Sequence, residues 1–382
     1  MRASSRFGVR ANHPTGYSRT ESPRYIPATF AGMMPTLEEN VSLRPYNTFG
    51  IDVRARYFAR FASADALREL LKMPLVQAAD KLILGGGSNL LFTQDFDGMV
   101  LRNEIRGLDI LSEDGDTNTA LVRAGAGESW HGLVEFALSH NLGGIENLSL
   151  IPGTVGAAPL QNIGAYGAEL RDTFDHLEAI EISTGELRVF AADACGFGYR
   201  ESVFKNVLKG QFVVTAVTFK LHRAHPAGYA PSVRYGAIAD TLAELGITGQ
   251  PTPHDVSRAV VHIRRSKLPD PAEIGNAGSF FKNPEISQAA FDRLQSQYPD
   301  LPGYPVPGGV KVPAGWLIEQ AGWKGLRRGP GAGTHGVHAR QALVLVNHGG
   351  ATGNEIRALA EEIIAAVRQQ FSVELHPEVN IL

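Results

Sequence analysis

Three side chains with catalytic potential lie beside glycine or within an apolar segment of the 382-residue chain. Arg200 follows Phe-Gly-Tyr, Ser279 follows Asn-Ala-Gly, and Glu378 interrupts an apolar run near the C-terminal end. A guanidinium can stabilise negative charge, and a hydroxyl or a carboxyl can transfer a proton. Each pattern alone is more often structural, as a surface cation, a turn serine or an edge carboxylate. The three residues are therefore candidates for catalysis whose role depends on what the fold places beside them.

A glycine-rich loop is the strongest local signal for ligand binding. Gly85, Gly86 and Gly87 directly follow a short apolar run, and Ser88 and Asn89 come next. Successive glycines allow backbone N–H groups to turn toward an anion without a Cβ atom in the way. A tight turn between two strands explains the same residues equally well. The pattern alone therefore leaves both an anion-binding loop and a structural turn open.

The run 151–167 is long, uncharged and built of small residues and amides, and it includes Pro152, Gly153 and Thr154. Loops are usually polar and charged, so this composition favours close contact with a large, flat, mostly apolar ligand. A buried crossover between two elements is the alternative interpretation.

Familiar nucleotide motifs do not account for these glycines. The sequence has no phosphate loop of the Gly-Lys-Ser/Thr type. One G-x-G-x-x-G occurs at Gly331, Gly333 and Gly336, but a strand is predicted after it, whereas a dinucleotide fingerprint stands between a strand and a helix. We predict that this match is not a Rossmann site.

Histidine and cysteine usage predicts neither a metal centre nor a disulfide. The pairs His335/His338 and His222/His225 have no acidic or thiol partners at ligand spacing, which favours solvated histidines. Cys195 is the single cysteine, which is typical of a reducing compartment. We therefore expect a cytoplasmic protein.

Composition excludes several other classes. The balance of 36 Lys and Arg against 39 Asp and Glu gives a net charge of −3, without the basic excess that nucleic-acid binding requires. The longest uncharged stretch, 147–168, is interrupted by glycines and prolines, so no membrane helix is predicted. The 42 glycines exceed the roughly 27 expected at an average usage of about 7%. This surplus indicates an unusual demand on backbone conformation.

Periodicity and capping signals predict alternating strands and helices that would position these residues. In chain order, they are a helix over 64–72 after Ser63, a strand over 81–84, a strand over 121–125, a helix after Ser129, a hairpin over 177–190, a strand over 212–221, a helix capped by Asp255, a helix over 354–370 and a final strand over 373–382. The composition changes after Lys267 to a proline-rich stretch, which indicates a domain boundary. Residues 1–36 are predicted to form a disordered tail.

Nine segments, taken together and in order, resemble the FAD-dependent UDP-N-acetylenolpyruvoylglucosamine reductase family of peptidoglycan synthesis. The matching segments are 47–50, 85–91, 152–167, 197–200, 267–271, 276–284, 314–318, 341–344 and 377–379. The similarity runs from about Leu43 to the C-terminal end, and Tyr235 in Val-Arg-Tyr-Gly resembles the substrate-covering tyrosine of the longer, type I branch.

The resemblance implies an α+β fold of three domains. Two would form an FAD-binding unit of the vanillyl-alcohol oxidase type, at 37–105 and at 106–268 together with 372–382. The third, over 269–371, would be an α+β substrate-binding domain. In this arrangement, Glu378 would lie on the segment 372–382, which returns to the second domain.

The resemblance also implies roles for individual residues. FAD, bound non-covalently, would be held by Gly85, Gly86, Gly87, Ser88, Asn89, Pro152, Gly153, Thr154 and Arg264. The substrate, a UDP-sugar, would be contacted by Tyr199, Tyr235, Lys267, Asn283 and Gln341. Catalysis would rest on Arg200, Ser279 and Glu378.

The implied reaction is the NADPH-dependent reduction of UDP-N-acetylglucosamine enolpyruvate to UDP-N-acetylmuramate. Hydride would pass from NADPH to the flavin and then to the enolpyruvyl double bond, with the two ligands using one pocket in turn. Arg200 would neutralise the developing negative charge, with Glu378 as a nearby acid or electrostatic partner, and Ser279 would donate the proton. We expect a monomer that acts on these small molecules, without nucleic-acid or membrane partners.

Two other functions remain open on the sequence. A flavin oxidase of the same superfamily would pass electrons to oxygen without needing Ser279. A flavin- or nucleotide-sugar-binding module would keep the fold without turnover. The presence of Arg200, Ser279 and Glu378 together favours the reductase.

Overall fold

A computed structural model describes residues 36–114, 118–224 and 229–382. The predicted tail 1–36 lies outside the described residues except at its last position, and so does His225. The α-helices in the described part are α1 (Ala64–Lys72), α2 (Pro74–Ala78), α3 (Trp130–Ser139), α4 (Gly236–Glu244), α5 (Pro253–Lys267), α6 (Gln288–Gln297), α7 (Ala314–Gln320) and α8 (Gly353–Phe371).

The strands in the described part, several of only two residues, are β1 (Leu37–Ser42), β2 (Arg54–Phe61), β3 (Lys81–Leu84), β4 (Leu90–Leu91), β5 (Phe96–Asn103), β6 (Leu108–Asp114), β7 (Thr119–Gly125), β8 (Leu142–Gly143), β9 (Gly164–Ala165), β10 (Ala168–Glu169), β11 (Phe174–Glu181), β12 (Leu187–Ala191), β13 (Phe212–Arg223), β14 (Gly275–Ser279), β15 (Glu285–Ile286), β16 (Tyr304–Val306), β17 (Gly309–Lys311), β18 (Arg327–Arg328), β19 (His335–Val337), β20 (Val344–Asn347) and β21 (Asn380–Ile381).

The first sheet has the order β1-β2-β5-β3, with β1 antiparallel and the other three strands parallel. The chain passes from β2 to β3 through α1 and α2, because parallel strands need a crossover connection. Ser63 caps α1 as predicted, since its side chain accepts a hydrogen bond from the Ala66 N–H. The predicted strand 81–84 is confirmed, and its end at Leu84 places the glycine-rich loop at the carboxyl edge of the parallel strands.

The second sheet is antiparallel, in the order β12-β11-β13-β7-β6, with β8 added beside β13. The predicted hairpin is formed by β11 and β12, and Ser129 caps α3 as predicted. The predicted cap of α5 is wrong. Thr252 is the N-cap, and Asp255 lies one turn inside, where the two residues exchange hydrogen bonds in a capping box.

The third part of the fold combines the antiparallel sheet β14-β20-β19-β18 with the small sheet β15-β17-β16 and with α6, α7 and α8. Its core is continuous with the core of the first sheet, because Phe280 and Ile356 belong to the same buried cluster as Phe49 and Phe58. The second sheet has its own core around Trp130. The first and third parts are therefore packed together by shared burial rather than by surface contact alone.

The end of the chain returns to the first part of the fold. β21 pairs in parallel with β4, and the Asn380 side chain donates to the carbonyl oxygen of Asn89 at 3.1 Å. The segment 372–382, expected to lie with 106–268, thus makes its strand pairing within 37–105. The boundaries of the three domains stay a prediction.

No helix in the described ranges is long and apolar enough to cross a bilayer.

Candidate active site

A cavity of about 370 Å³ lies where the loops of all three parts meet. The predicted site residues that line it are Ser88, Asn89, Pro152, Tyr199, Arg200, Tyr235, Arg264, Lys267, Ser279, Asn283, Gln341 and Glu378. These residues are spread over a span of nearly 300 positions in the sequence, and the fold brings them together around one cavity.

Arg200 is presented by a tight turn. Gly198 and Glu201 form a bridge across the turn, and Arg200 adopts a left-handed backbone with φ of 56°. A non-glycine residue in this conformation costs about 1–3 kcal/mol, and such residues cluster at functional sites. The guanidinium donates to the Gly164 carbonyl oxygen at 2.5 Å. It is thereby held against the uncharged run 151–167.

Glu378 is the ion-pair partner of Arg200. The Arg200 Nε atom lies 3.1 Å from Glu378 Oε1, and the two side chains are only 19% and 14% exposed. Burial raises the pKa of Glu378, whereas Arg200, Lys205 and Lys282 act in the opposite direction. The pair therefore places a partly desolvated carboxyl group beside a fixed positive charge.

Hydrogen bonds between backbones tie Glu378 to the strand that carries Ser279. The Glu378 N–H donates to the Phe280 carbonyl oxygen at 2.8 Å, and Phe281 forms a bridge with Pro377. Ser279 itself ends β14, where it pairs with Val344, and it is exposed on the cavity wall. The hydroxyl and the carboxylate are thus positioned by one local arrangement of strands.

The polar residues predicted to contact substrate lie on the same cavity. The Asn283 Oδ1 atom accepts a hydrogen bond from the Ala314 N–H at 3.0 Å, and the Asn283 side chain also bonds Tyr199. Burial raises the pKa of Tyr199, and Lys311 lies over its ring at 3.5 Å. Tyr235 is 51% exposed at the rim. The cavity therefore offers neutral donors and cations to a polar ligand.

Two loops next to this cavity form a cradle of free backbone amides. Residues 85–89 face residues 153–154 across a smaller cavity of about 140 Å³. In the described ranges, none of these backbone N–H groups donates to another protein atom. Unpaired amides around a concave loop form an anion site. From here on, this arrangement is called the amide cradle.

The glycines of the cradle are needed for a reason that the sequence did not reveal. A Cβ atom on Gly86 would lie 2.9 Å from the Gly153 Cα atom, and one on Gly153 would lie 2.8 Å from the Ser88 hydroxyl. The glycines therefore permit the close approach of two loops as well as access to the amides.

Arg264 enters the cavity from the last turn of α5 without an acidic partner. Its Nε donates to the Leu150 carbonyl oxygen at 3.2 Å, and its guanidinium bonds the Tyr166 hydroxyl. No carboxylate among the described residues forms an ion pair with it. Burial lowers the pKa of Arg264, and Tyr166 opposes that shift. This uncompensated cation fits an anionic or electron-rich ligand group.

Several residues around the site escaped the sequence analysis. Tyr166 and Gly164 lie within the run 151–167, so that pattern contained a signal for them. Lys205 and Lys311 belong to no motif and could not have been found. The G-x-G-x-x-G segment has Gly331 and Gly333 in the connection between β18 and β19 and Gly336 within β19, so it stands between two strands and not between a strand and a helix.

No cluster of three or more His, Cys, Asp or Glu side chains suited to a metal ion occurs in the part of the chain that the structure describes.

Comparison with known families defines the class of protein. Residues 55–191 match the FAD binding domain family, and residues 270–382 match the family described as UDP-N-acetylenolpyruvoylglucosamine reductase, C-terminal domain. With the amide cradle and the unpaired Arg264, these matches define a flavoprotein oxidoreductase.

Curated relatives specify the family. The UDP-N-acetylenolpyruvoylglucosamine reductase of Burkholderia ambifaria is 51% identical over 353 residues, covering 90% of this chain and 98% of that protein. The enzyme of the same name from Pseudomonas aeruginosa is 51% identical over 346 residues, with the same coverage. The chain belongs to the UDP-N-acetylenolpyruvoylglucosamine reductase family, which confirms the family predicted from nine motifs.

A solved structure supports the fold. The UDP-N-acetylenolpyruvylglucosamine reductase of Thermus caldophilus matches with a TM-score of 0.60 and 24% identity, over 91% of this chain and 99% of that one. The predicted α+β fold is confirmed, and the chain is an FAD-dependent reductase of peptidoglycan precursor synthesis.

Proposed function

We propose that the protein reduces UDP-N-acetylglucosamine enolpyruvate to UDP-N-acetylmuramate, using NADPH as the electron donor and non-covalently bound FAD as the carrier. The observation that carries this proposal is the Arg200–Glu378 pair on the same cavity wall as Ser279, next to the amide cradle. Membership of the reductase family supports the substrate and the overall reaction.

The residues of the amide cradle fit the diphosphate of FAD. Free N–H groups at 85–89 and 153–154 would receive its oxygens, and Arg264 would face the flavin. Bound FAD supplies a two-electron carrier that accepts electrons from one ligand and passes them to another. The cradle needs no metal ion, because amides and one guanidinium supply the positive potential.

One cavity would receive NADPH and the UDP-sugar in turn. Lys267 and the Asn283 NH₂ group suit a diphosphate, the first as a point charge and the second as a neutral donor. Tyr199, Tyr235 and Gln341 complete the lining that we assign to the nucleotide and sugar. Because the two ligands compete for the same space, we expect ping-pong kinetics.

The catalytic residues would neutralise and protonate the carbanion that develops on the substrate. When a hydride adds to the terminal carbon of the enolpyruvyl group, negative charge grows on the neighbouring carbon and its carboxylate. Arg200 would neutralise that charge, with Glu378 as its counterion. Ser279 would donate the proton to the carbanion. A serine is a weak acid, so this step requires a strongly basic carbanion within hydrogen-bond reach.

We further propose a monomeric enzyme that works in the cytoplasm on small molecules, without nucleic-acid or membrane partners. The net charge of −3 and the single, buried Cys195 support this assignment. Burial raises the pKa of the Cys195 thiol to about 12, so the thiol stays protonated and unreactive.

The Ser279→Ala variant tests the assignment of the proton donor. We expect the purified wild-type protein to be yellow and to consume more than one equivalent of NADPH per flavin only when UDP-N-acetylglucosamine enolpyruvate is present. In Ser279→Ala, NADPH should still reduce the flavin, whereas reoxidation by the substrate should slow by about 10²–10⁴-fold. Anaerobic stopped-flow absorbance of the flavin separates the two half-reactions.

The matched control is Ser296→Ala, which removes an exposed serine hydroxyl from α6. It should leave both half-reactions unchanged. Loss of flavin reduction in Ser279→Ala would contradict the assignment to the second half-reaction. A colourless wild-type protein would exclude the flavoenzyme, and oxygen consumption without substrate would favour an oxidase.

A further inference from the structure

A lysine that belongs to no sequence motif contacts the backbone of Arg200. Lys205 ends the short 3₁₀ helix Val203–Lys205, which follows the Arg200 turn directly. Its Nζ atom donates to the Arg200 carbonyl oxygen at 3.3 Å. The side chain is half-buried and is oriented back along the chain toward the catalytic turn.

This contact acts on the strained part of the turn. Arg200 has φ of 56°, and the left-handed backbone rotates the following peptide so that its carbonyl oxygen receives the Lys205 ammonium. Buried Ser202 anchors the start of the 3₁₀ helix, since its hydroxyl donates to the Leu160 carbonyl oxygen at 2.7 Å. Lys205 therefore stabilises the peptide group that orients the Arg200 side chain. The 3₁₀ helix that carries Lys205 is itself held in place by the Ser202 hydrogen bond.

The charges around Glu378 give Lys205 a second effect. Arg200 pairs with Glu378, and Lys282 pairs with Glu201 at 2.8 Å. Lys205 forms no ion pair within the described ranges, so three cations face two carboxylates. Burial lowers the pKa of Lys205, and Lys282 and Arg200 lower it further, whereas Glu201 and Glu378 raise it.

The groups that face Glu378 come from three elements. Arg200 and Tyr199 come from the turn, Lys205 from the 3₁₀ helix and Lys282 from the segment after β14. The three cations lower the pKa of the Glu378 carboxyl, against the effect of burial. Lys205 is the cation whose removal would leave both ion pairs intact.

We propose that Lys205 is a positioning residue of the active site, which holds the Arg200 turn in place and adds a positive charge beside Glu378. It acts through these two residues and touches neither substrate nor cofactor in this assignment. The catalytic consequence rests on the proposed function, whereas the electrostatic consequence concerns the protein alone.

The decisive variants are Lys205→Met and Lys205→Arg, with Lys209→Met as the control. Methionine keeps the apolar stem and removes the charge, and arginine keeps the charge. Lys209 is exposed four residues further on. We expect Lys205→Met to slow flavin reoxidation by the substrate about tenfold, because a displaced Arg200 guanidinium stabilises the developing charge less well. Flavin reduction by NADPH and the KM for the UDP-sugar should change less than twofold.

The pH profile distinguishes positioning from a general loss of stability. Without the Lys205 charge, the pKa of Glu378 should rise, so the acidic limb of the reoxidation rate should move to higher pH. Lys205→Arg should restore the limb to its wild-type position, and Lys209→Met should not move it. An unmoved limb in Lys205→Met, or an equal shift in Lys209→Met, would overturn the proposal.

A measurement on cofactor-free protein makes the test independent of turnover. The Glu378 carboxyl is titrated by carbon-13 NMR, with Glu378→Gln used to assign its resonance. We expect a higher midpoint in Lys205→Met than in the wild type. An unchanged midpoint overturns the proposal even when the wild type is active. An inactive wild type with a shifted midpoint would refute the proposed function and leave the role of Lys205 supported.

Discussion

Two arginines enter the same cavity with opposite charge environments. Arg200 lies 3.1 Å from the Glu378 carboxylate and bonds a backbone carbonyl. Arg264 bonds a carbonyl and the Tyr166 hydroxyl but has no carboxylate partner among the described residues. Both are partly buried, so the difference lies in whether the protein itself supplies the counterion.

We propose that this difference separates a residue of the reaction from a residue of ligand binding. The Arg200 guanidinium is held in place by its ion pair with Glu378, so it is preorganised to respond to charge that appears during a reaction. A buried guanidinium without a counterion is costly in the empty protein and gains most when a ligand brings negative charge. We therefore assign Arg200 to the reaction and Arg264 to the bound cofactor.

The largest expected effect follows from removing the balanced arginine. In Arg200→Met, flavin reoxidation by the substrate should slow by about 10²–10³-fold, because the developing charge loses its stabilising cation. Flavin reduction by NADPH should be affected much less, and stopped-flow absorbance measures both. The pKa of Glu378 should also rise further, since burial would then act with less opposition.

The matched control for Arg200→Met is Arg188→Met, which breaks an exposed pair with Glu181 on the second sheet. It should leave both half-reactions unchanged. If Arg200→Met slowed flavin reduction and reoxidation equally, the assignment of Arg200 to the second half-reaction would be wrong.

A smaller effect, on binding rather than on rate, is expected for the unbalanced arginine. Arg264→Met should weaken FAD binding by about 10–100-fold, because a hydrogen bond to a charged group contributes about 1.5–3 kcal/mol. In cofactor-free protein the same substitution removes an uncompensated charge, so the midpoint of thermal unfolding should stay constant or rise. Flavin fluorescence and calorimetry measure the two quantities.

Arg258→Met on the exposed side of α5 is the control for Arg264. It should not alter FAD affinity. Strong destabilisation of cofactor-free Arg264→Met would show that this arginine is structural, and the contrast with Arg200 would then fail.

The smallest effect is expected from removing the hydrogen bond between Tyr166 and Arg264. Tyr166→Phe removes the hydroxyl that Arg264 bonds and keeps the ring that packs edge-on against Tyr235 at 5.4 Å. FAD affinity should fall about two- to tenfold, the range of one neutral hydrogen bond. Tyr57→Phe on β2 serves as the control. An effect as large as that of Arg264→Met would mean that Tyr166 contacts the ligand directly.

Local patterns in the sequence predicted local structure well. Ser63 and Ser129 cap α1 and α3, and the glycine-rich loop follows β3 where expected. These features depend on hydrogen bonds between residues a few positions apart, so the sequence contains the whole signal. The one misassigned cap, Asp255, belongs to the same capping box as the true cap, Thr252.

The long-range arrangement of the chain was harder to predict from the sequence. The pattern at 373–382 predicted one continuous strand, but only 380–381 is a strand, because Pro377 interrupts the run and pairs with Phe281 in an isolated bridge. The resemblance to a family identified residues that the structure brings together around one cavity. It implied that Glu378 lies near Arg200, but it could not reveal that Arg264 has no carboxylate partner among the described residues, since that depends on contacts between residues far apart in sequence.

The pairing of β21 with β4 bears on how the protein is made. Asn380 bonds Asn89, 291 positions earlier, so the amide cradle has no neighbouring strand on that side until residue 380 has left the ribosome. At synthesis rates of about 5–20 residues per second, this interval lasts roughly 15–60 s. We therefore expect FAD to be captured after residues 380–381 have emerged, by a chain whose earlier sheets have already formed.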